Sequence, residues 1–181
     1  VEAGRLRLEG PRSGQERDCF KGHPCSLTGV VGLGLRGGDA LTVLQQCGSG
    51  SSVLGLPGSN GSDIVPASSK DGQDYYFRGA AAGGGALLRA AAGIFRLCWC
   101  RPDAAAGFGC AGAADFQATV GLFTCKGPYD GQVVACILNQ TCHLPAAPLG
   151  LQGVGLRQGD RLLVLDVCGT AAGVRWRGAL A

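Results

Sequence analysis

Strand signals dominate the pattern of polar and apolar positions along this chain. Arg5-Leu6-Arg7-Leu8 alternates strictly, as a half-buried strand does, and Asp115-Phe116-Gln117-Ala118-Thr119-Val120 alternates again. Leu41-Thr42-Val43-Leu44 and Leu162-Leu163-Val164-Leu165 are short apolar runs, each following a Gly-Asp turn. Tyr75-Tyr76-Phe77 is aromatic and favours strand. The strongest strand is Ile94 to Cys100. It places Phe95, Leu97 and Trp99 on one face and Arg96, Cys98 and Cys100 on the other. Loop-like clusters of Gly, Ser, Asn and Pro separate these runs, most clearly at Gly48 to Ser52 and Pro57 to Ser62. The Ala- and Gly-dominated insert from Gly79 to Gly93 holds one stretch of helix-forming composition, Ala86 to Ala92, of two turns at most. Many short strands with turn signals between them predict an all-β fold of the β-sandwich type.

The chain also repeats itself. Gly4 to Pro11 returns as Gly121 to Pro128, and Cys19 and Cys25 return at the same spacing as Cys136 and Cys142. Gly34-Leu35-Arg36-Gly37-Gly38-Asp39-Ala40-Leu41 returns as Gly155-Leu156-Arg157-Gln158-Gly159-Asp160-Arg161-Leu162, and Cys47-Gly48 as Cys168-Gly169. The offset grows by four residues in between, which a longer loop at Pro145-Ala146-Ala147-Pro148 absorbs. A fixed internal period sets the architecture. The expectation is a tandem array: 1–10 as the tail strand of a preceding module with its junction, 11–120 as one complete module, and 121–181 as the first half of a second, homologous module.

Composition narrows the setting. A net charge of +3 is too small to imply nucleic acid. Arg5, Arg7, Arg12 and Arg17 interleave with Glu2, Glu9, Glu16 and Asp18, as on a solvated strand edge. No apolar run is long enough to span a membrane, so direct insertion by this segment is not expected. The 10 cysteines at repeat-related positions predict an oxidising, extracellular compartment. Loop length and the repeat favour Cys19 with Cys25, Cys136 with Cys142, Cys100 with Cys110, and Cys47 with Cys98. Exchanging Cys98 and Cys100 fits nearly as well. Cys125, which replaces Leu8 of the first copy, and Cys168, whose counterpart is Cys47, stay unassigned. Two acceptor triplets, Asn60-Gly61-Ser62 and Asn139-Gln140-Thr141, mark Asn60 and Asn139 as N-glycosylation candidates.

No catalytic constellation stands out, and the expectation is a non-enzymatic chain without cofactor or metal. Gly32 to Gly38 lacks the Gly-Lys-Ser/Thr ending of a phosphate loop, and its second copy drifts as a structural turn would. Asp39 and Asp160 follow glycine just before apolar runs, where a carboxylate commonly bonds local backbone N–H groups. Neither His23 nor His143 has a nearby nucleophile, and no C-x-x-C pair marks a zinc site. Cys98-Trp99-Cys100 reads as two structural disulfides flanking a core tryptophan. Trp176, between Arg175 and Arg177, is either a strand residue or a stacking platform for a glycan or partner chain.

The string Gly93-Ile94-Phe95-Arg96-Leu97-Cys98 resembles the late strand of an immunoglobulin-like domain. Here, however, the cysteine lies on the face opposite Phe95, so its disulfide is expected outside the main core. Phe95 to Cys100, followed by Cys110, Phe116, Gly121 and Gly127-Pro128, resembles the cysteine-rich modules of mastigoneme-like proteins. That resemblance covers the first module and half of the second. Cys125 departs from the pattern, and the second copy never shows its own Leu-Cys-Trp-Cys. The resemblance implies a secreted glycoprotein of a flagellar hair filament, assembling with copies of itself and with a hydroxyproline-rich glycoprotein. The competing expectation is a cell-surface adhesin or receptor ectodomain that binds glycan or protein.

Overall fold

In a computed structural model, the described residues are 4–49, 51–58, 63–77, 87–142, 150–165 and 167–168. They form ten strands: β1 (Gly10–Pro11), β2 (Gln15–Phe20), β3 (Cys25–Leu27), β4 (Gly32–Leu33), β5 (Ala40–Leu44), β6 (Val65–Pro66), β7 (Tyr75–Phe77), β8 (Gly93–Cys100), β9 (Ala118–Pro128) and β10 (Gly153–Val154). A 3-10 turn at Ala113–Asp115 precedes β9. The protein is strand-rich, with four disulfides among the described residues.

The principal sheet runs β10-β9-β8-β5-β6, with β2 also on β9. Strand β8 pairs antiparallel with β5, Leu41 opposite Trp99 and Val43 opposite Leu97. It pairs antiparallel with β9 on its other side, through a bulge between Leu97 and Cys98. Strand β2 pairs with β9 in parallel, from Gln15 opposite Gly121 to Phe20 opposite Lys126. A Cβ on Gly121 would overlap the Gln15 carbonyl, so only glycine lets β2 approach β9 this closely.

Two apolar clusters form because successive side chains leave opposite faces of a strand. The main core joins Leu41, Val43, Leu97, Trp99, Val120 and Phe123 of the principal sheet to Leu27, Tyr75 and Phe77 of the small antiparallel β3–β7 sheet. The Phe77 and Phe123 rings lie 6.1 Å apart. On the reverse face, Ala40, Leu44, Cys98 and Cys100 pack against Phe116 beside the 3-10 turn. The alternation in β8 thus sorts Leu97 and Trp99 inward and Cys98 and Cys100 to the second cluster.

Three expected elements differ. Residues 5–8 form no strand: Leu6 is 88% exposed and Leu8 78% exposed, and no strand pairs with them among the described residues. Leu162 to Leu165 is likewise not a strand, apart from a bridge residue at 165. Its exposed Leu162, Leu163 and Val164 lack the β8 neighbour that holds Leu41, Thr42 and Val43. Residues 87–92 form no helix, because their backbone serves neighbouring loops. Leu88 N–H donates to His23 O and Arg89 N–H to Gly55 O, while Leu88 and Ala90 fill the main core. Near β9, Asp115 belongs to the 3-10 turn, and the strand begins at Ala118.

Candidate functional site

The most developed polar architecture lies where the two sequence copies meet. Strand β9 is continuous from Ala118 to Pro128 and serves two neighbourhoods. Its first part closes the main core through Phe123 and Cys125. Its end, Gly127–Pro128, pairs with β10 in the register that Gly10–Pro11 uses with β4: Gly10 opposite Leu33 and Pro11 opposite Gly32, then Gly127 opposite Val154 and Pro128 opposite Gly153.

The side-chain bonds recur with the register. Gln15 Nε2 donates to Arg12 O (2.7 Å) and Val31 O (2.9 Å), and its Oε1 accepts from Val31 N–H (2.9 Å). Gln132 Nε2 donates to Tyr129 O (2.9 Å) and Gln152 O (2.8 Å), and its Oε1 accepts from Gln152 N–H (2.6 Å). Asp39 Oδ2 accepts from Arg36 N–H at 3.0 Å, and Asp160 Oδ2 accepts from Arg157 N–H at 2.9 Å. Both turns need a left-handed glycine, Gly34 at φ 66° and Gly155 at φ 67°. In each copy the glutamine side chain stands in for a backbone partner, across 16 residues in the first and 20 in the second.

What differs between the copies is burial. Asp39 is fully buried and takes two hydrogen bonds from Arg101, Nε to Oδ1 at 2.8 Å and Nη2 to Oδ2 at 3.0 Å. The same guanidinium donates to Gly34 O (2.6 Å) and Glu9 Oε2 (3.0 Å) and lies over the Trp99 ring at 5.1 Å. It ties the end of β8 to the Gly34 turn and to the segment entering β1. The bonded Asp39 carboxylate holds Arg101 above the ordinary arginine range, with burial opposing. Asp160 is exposed and has no ion pair among the described residues. The main core also holds Tyr75, whose hydroxyl burial pushes well above the ordinary tyrosine range, with Asp39 adding to the shift.

Ion pairs flank the shared strand. Lys126 Nζ reaches Asp18 Oδ2 at 2.7 Å and lies 5.5 Å over the Phe20 ring. Lys21 Nζ pairs with Asp130 Oδ1, joining the loop after β2 to the stretch after β9.

Disulfides join Cys19 to Cys25, Cys47 to Cys98, Cys100 to Cys110 and Cys136 to Cys142. The Cys47–Cys98 bond ties the loop after β5 to β8 on the second-cluster face, away from the main core. Cys125 and Cys168 are free thiols, the first buried and the second exposed. Desolvation raises the Cys125 thiol above its ordinary range, against the opposing field of Lys21. Asn139 sits exposed in a turn at φ 63°, a left-handed conformation that asparagine tolerates. Asn60, His143, Trp176 and the Pro145–Pro148 loop lie outside the described residues.

Among the described residues no group of three or more His, Cys, Asp or Glu side chains is placed to hold a metal ion. A half-open pocket of about 110 Å³ between Thr42, Asp63, Ala111 and Phe116 carries Asp63 as its one charged lining residue. No helix among the described residues is long and apolar enough to cross a membrane. Four disulfides point to an extracellular or secreted protein. No family model, no curated protein and no solved structure matches the chain.

Proposed function

We propose that this chain is a load-bearing segment of an extracellular filament, built from tandem immunoglobulin-like β-sandwich modules, and that its function is stiffness rather than catalysis. The observation that carries the reading is the continuity of β9. One strand closes the main core and then, without a linker, opens the second copy of the Gln-and-Asp hydrogen-bond frame. Independent domains are ordinarily joined by exposed, flexible linkers across which few contacts run. Here a paired strand and the Lys21–Asp130 ion pair cross the joint, which favours a rod over a string of free beads. Disulfides add resistance to unfolding by constraining the unfolded chain. The resemblance at Phe95 to Cys100 makes a flagellar mastigoneme the specific filament in this reading. Its partners would be further copies of the chain and a hydroxyproline-rich glycoprotein, with glycan on Asn139 and Asn60.

Electron microscopy of the secreted protein tests this. Regular unbranched threads with an axial repeat of one module length are expected. Isolated particles at every concentration would overturn the filament.

A further inference from the structure

Three cysteines meet in the main core beneath one stretch of chain. Strand β2 runs parallel to β9 with Cys19 directly opposite Cys125. Paired residues on adjacent strands leave the sheet on the same face, with Cα atoms about 4.8 Å apart. That lies within the roughly 4.4–6.8 Å that a disulfide spans. Cys19, its disulfide partner Cys25 and the free thiol Cys125 all belong to the main apolar cluster and are all buried. The stretch Leu88 to Ala90 bonds to both halves of this trio. Within the Cys19–Cys25 loop, Gly22 N–H donates to Leu88 O at 2.7 Å, and His23 O accepts from Leu88 N–H at 2.9 Å. The Cys125 thiol donates to Ala90 O at 3.6 Å. The counterpart of Cys125 in the repeat is Leu8, so the position does not itself call for a thiol.

We infer that Cys19, Cys25 and Cys125 form an internal thiol–disulfide switch, in which Cys125 exchanges into the Cys19–Cys25 bond and staples β2 to β9. The Cys125 thiol gives its proton to water, and the thiolate attacks Cys19 Sγ. The Cys19–Cys25 bond breaks as the Cys19–Cys125 bond forms, and Cys25 leaves as a thiolate that takes a proton back. One thiol and one disulfide stand on each side of the reaction, so no oxidant or reductant enters. Register selects Cys19 as the sulfur attacked, because Cys25 lies on β3, which pairs with β7 instead. At rest the exchange is held back. Burial raises the Cys125 thiol above its ordinary range, with Lys21 opposing and Asp130 adding, and Ala90 O holds the proton. Loosening of Leu88 to Ala90 lifts both restraints and admits water to the thiol. The product replaces a six-residue separation by one spanning nearly the whole first copy, which constrains the unfolded chain more strongly. It also ties covalently a parallel pair that backbone bonds and the Lys126–Asp18 ion pair otherwise hold.

Disulfide mapping by mass spectrometry tests the switch, in a Cys168→Ser background that removes the exposed thiol. The full chain is held at pH 8 with iodoacetamide, in urea below its unfolding transition. Remaining thiols are then blocked with N-ethylmaleimide in mildly acidic denaturant before digestion without reduction. Trypsin cuts after Lys21, between Cys19 and Cys25, so the two linkages give different peptides. A Cys19–Cys125 peptide with acetamide on Cys25 is expected, and its yield should rise with urea. Acetamide on Cys125 beside an intact Cys19–Cys25 bond would overturn the switch, as would a Cys25–Cys125 bond or a Cys25 that stays unlabelled at every urea concentration. The variant Cys25→Ser checks the geometry apart from the exchange, since it leaves Cys19 and Cys125 as facing thiols. Mild oxidation should join them and raise the melting temperature above that of the reduced variant. A folded Cys25→Ser protein whose two thiols resist oxidation would overturn the assigned contact.

Discussion

Replacing Asp39 by Asn, beside the same change at Asp160, isolates what burial adds to an otherwise repeated turn. Both carboxylates accept one backbone N–H within their turn, at 3.0 and 2.9 Å. Losing the charge from that bond costs on the order of 1 kcal/mol at either site. Of the two, Asp39 is the one that is fully buried and that pairs with Arg101, through two bonds. Breaking a buried ion pair from one side costs about 3–5 kcal/mol, because the remaining charge stays desolvated. Arg101 keeps its bonds to Gly34 O and Glu9, and its side chain is 15% exposed, so the lower end applies. Asp39→Asn should therefore cost about 3 kcal/mol. For a chain of this size that lowers the melting temperature by roughly 6–12 °C, while Asp160→Asn lowers it by no more than about 4 °C. Urea denaturation followed by Trp99 fluorescence in a Trp176→Phe background reads both, with Arg101→Met and the double variant completing a cycle. A coupling energy of at least about 1.5 kcal/mol is expected between positions 39 and 101. Equal losses at positions 39 and 160, or no coupling to Arg101, would refute the claim that this ion pair holds the end of β8 to the Gly34 turn.

Further outcomes follow from the same structure. In the native protein at pH 8 a thiol reagent should modify Cys168 and spare Cys125, with both reacting in denaturant; rapid native labelling of Cys125 would contradict its burial in β9. Removing the Cys47–Cys98 bond by double alanine substitution should cost about 4 kcal/mol by the loop-entropy relation, against about 2 kcal/mol for the six-residue separation of Cys19–Cys25, read by chemical denaturation. Gly121→Ala should separate β2 from β9 and expose Cys19, seen as lost amide protection in 15–20; retained protection would refute the close approach. The Asp115 carboxylate, held below the ordinary range by the Gly112 and Ala111 N–H groups, should titrate in NMR below the ordinary aspartate range. Its folded value is the lower one, so its contribution is complete above the unfolded-state value and is lost as pH falls through the folded midpoint. In Asp115→Asn the stability difference from wild type should shrink toward acid pH.

Local signals in the chain carried the strands whose apolar face meets a core among the described residues. The alternation Phe95-Arg96-Leu97-Cys98-Trp99-Cys100 sorts into two clusters on two faces of β8, and Leu41 to Leu44 becomes the buried β5. The same kind of signal did not make strands of Arg5 to Leu8 or Leu162 to Leu165, because alternation names the face a strand would bury but does not supply what covers it. Turn chemistry needs no such partner. The Gly34 and Gly155 turns with their capping aspartates form alike in both copies from residues 3 apart, and the Gln15 and Gln132 brackets recur across 16 and 20 residues. The repeat in the sequence therefore determined the local frame twice over. Only the tertiary structure decided that β2 runs parallel to β9, that Arg101 crosses to Asp39, and that Cys125 is buried while Cys168 is not. Each of those depends on segments far apart in the chain, where burial and the loss of water set the energy and no local spacing records it.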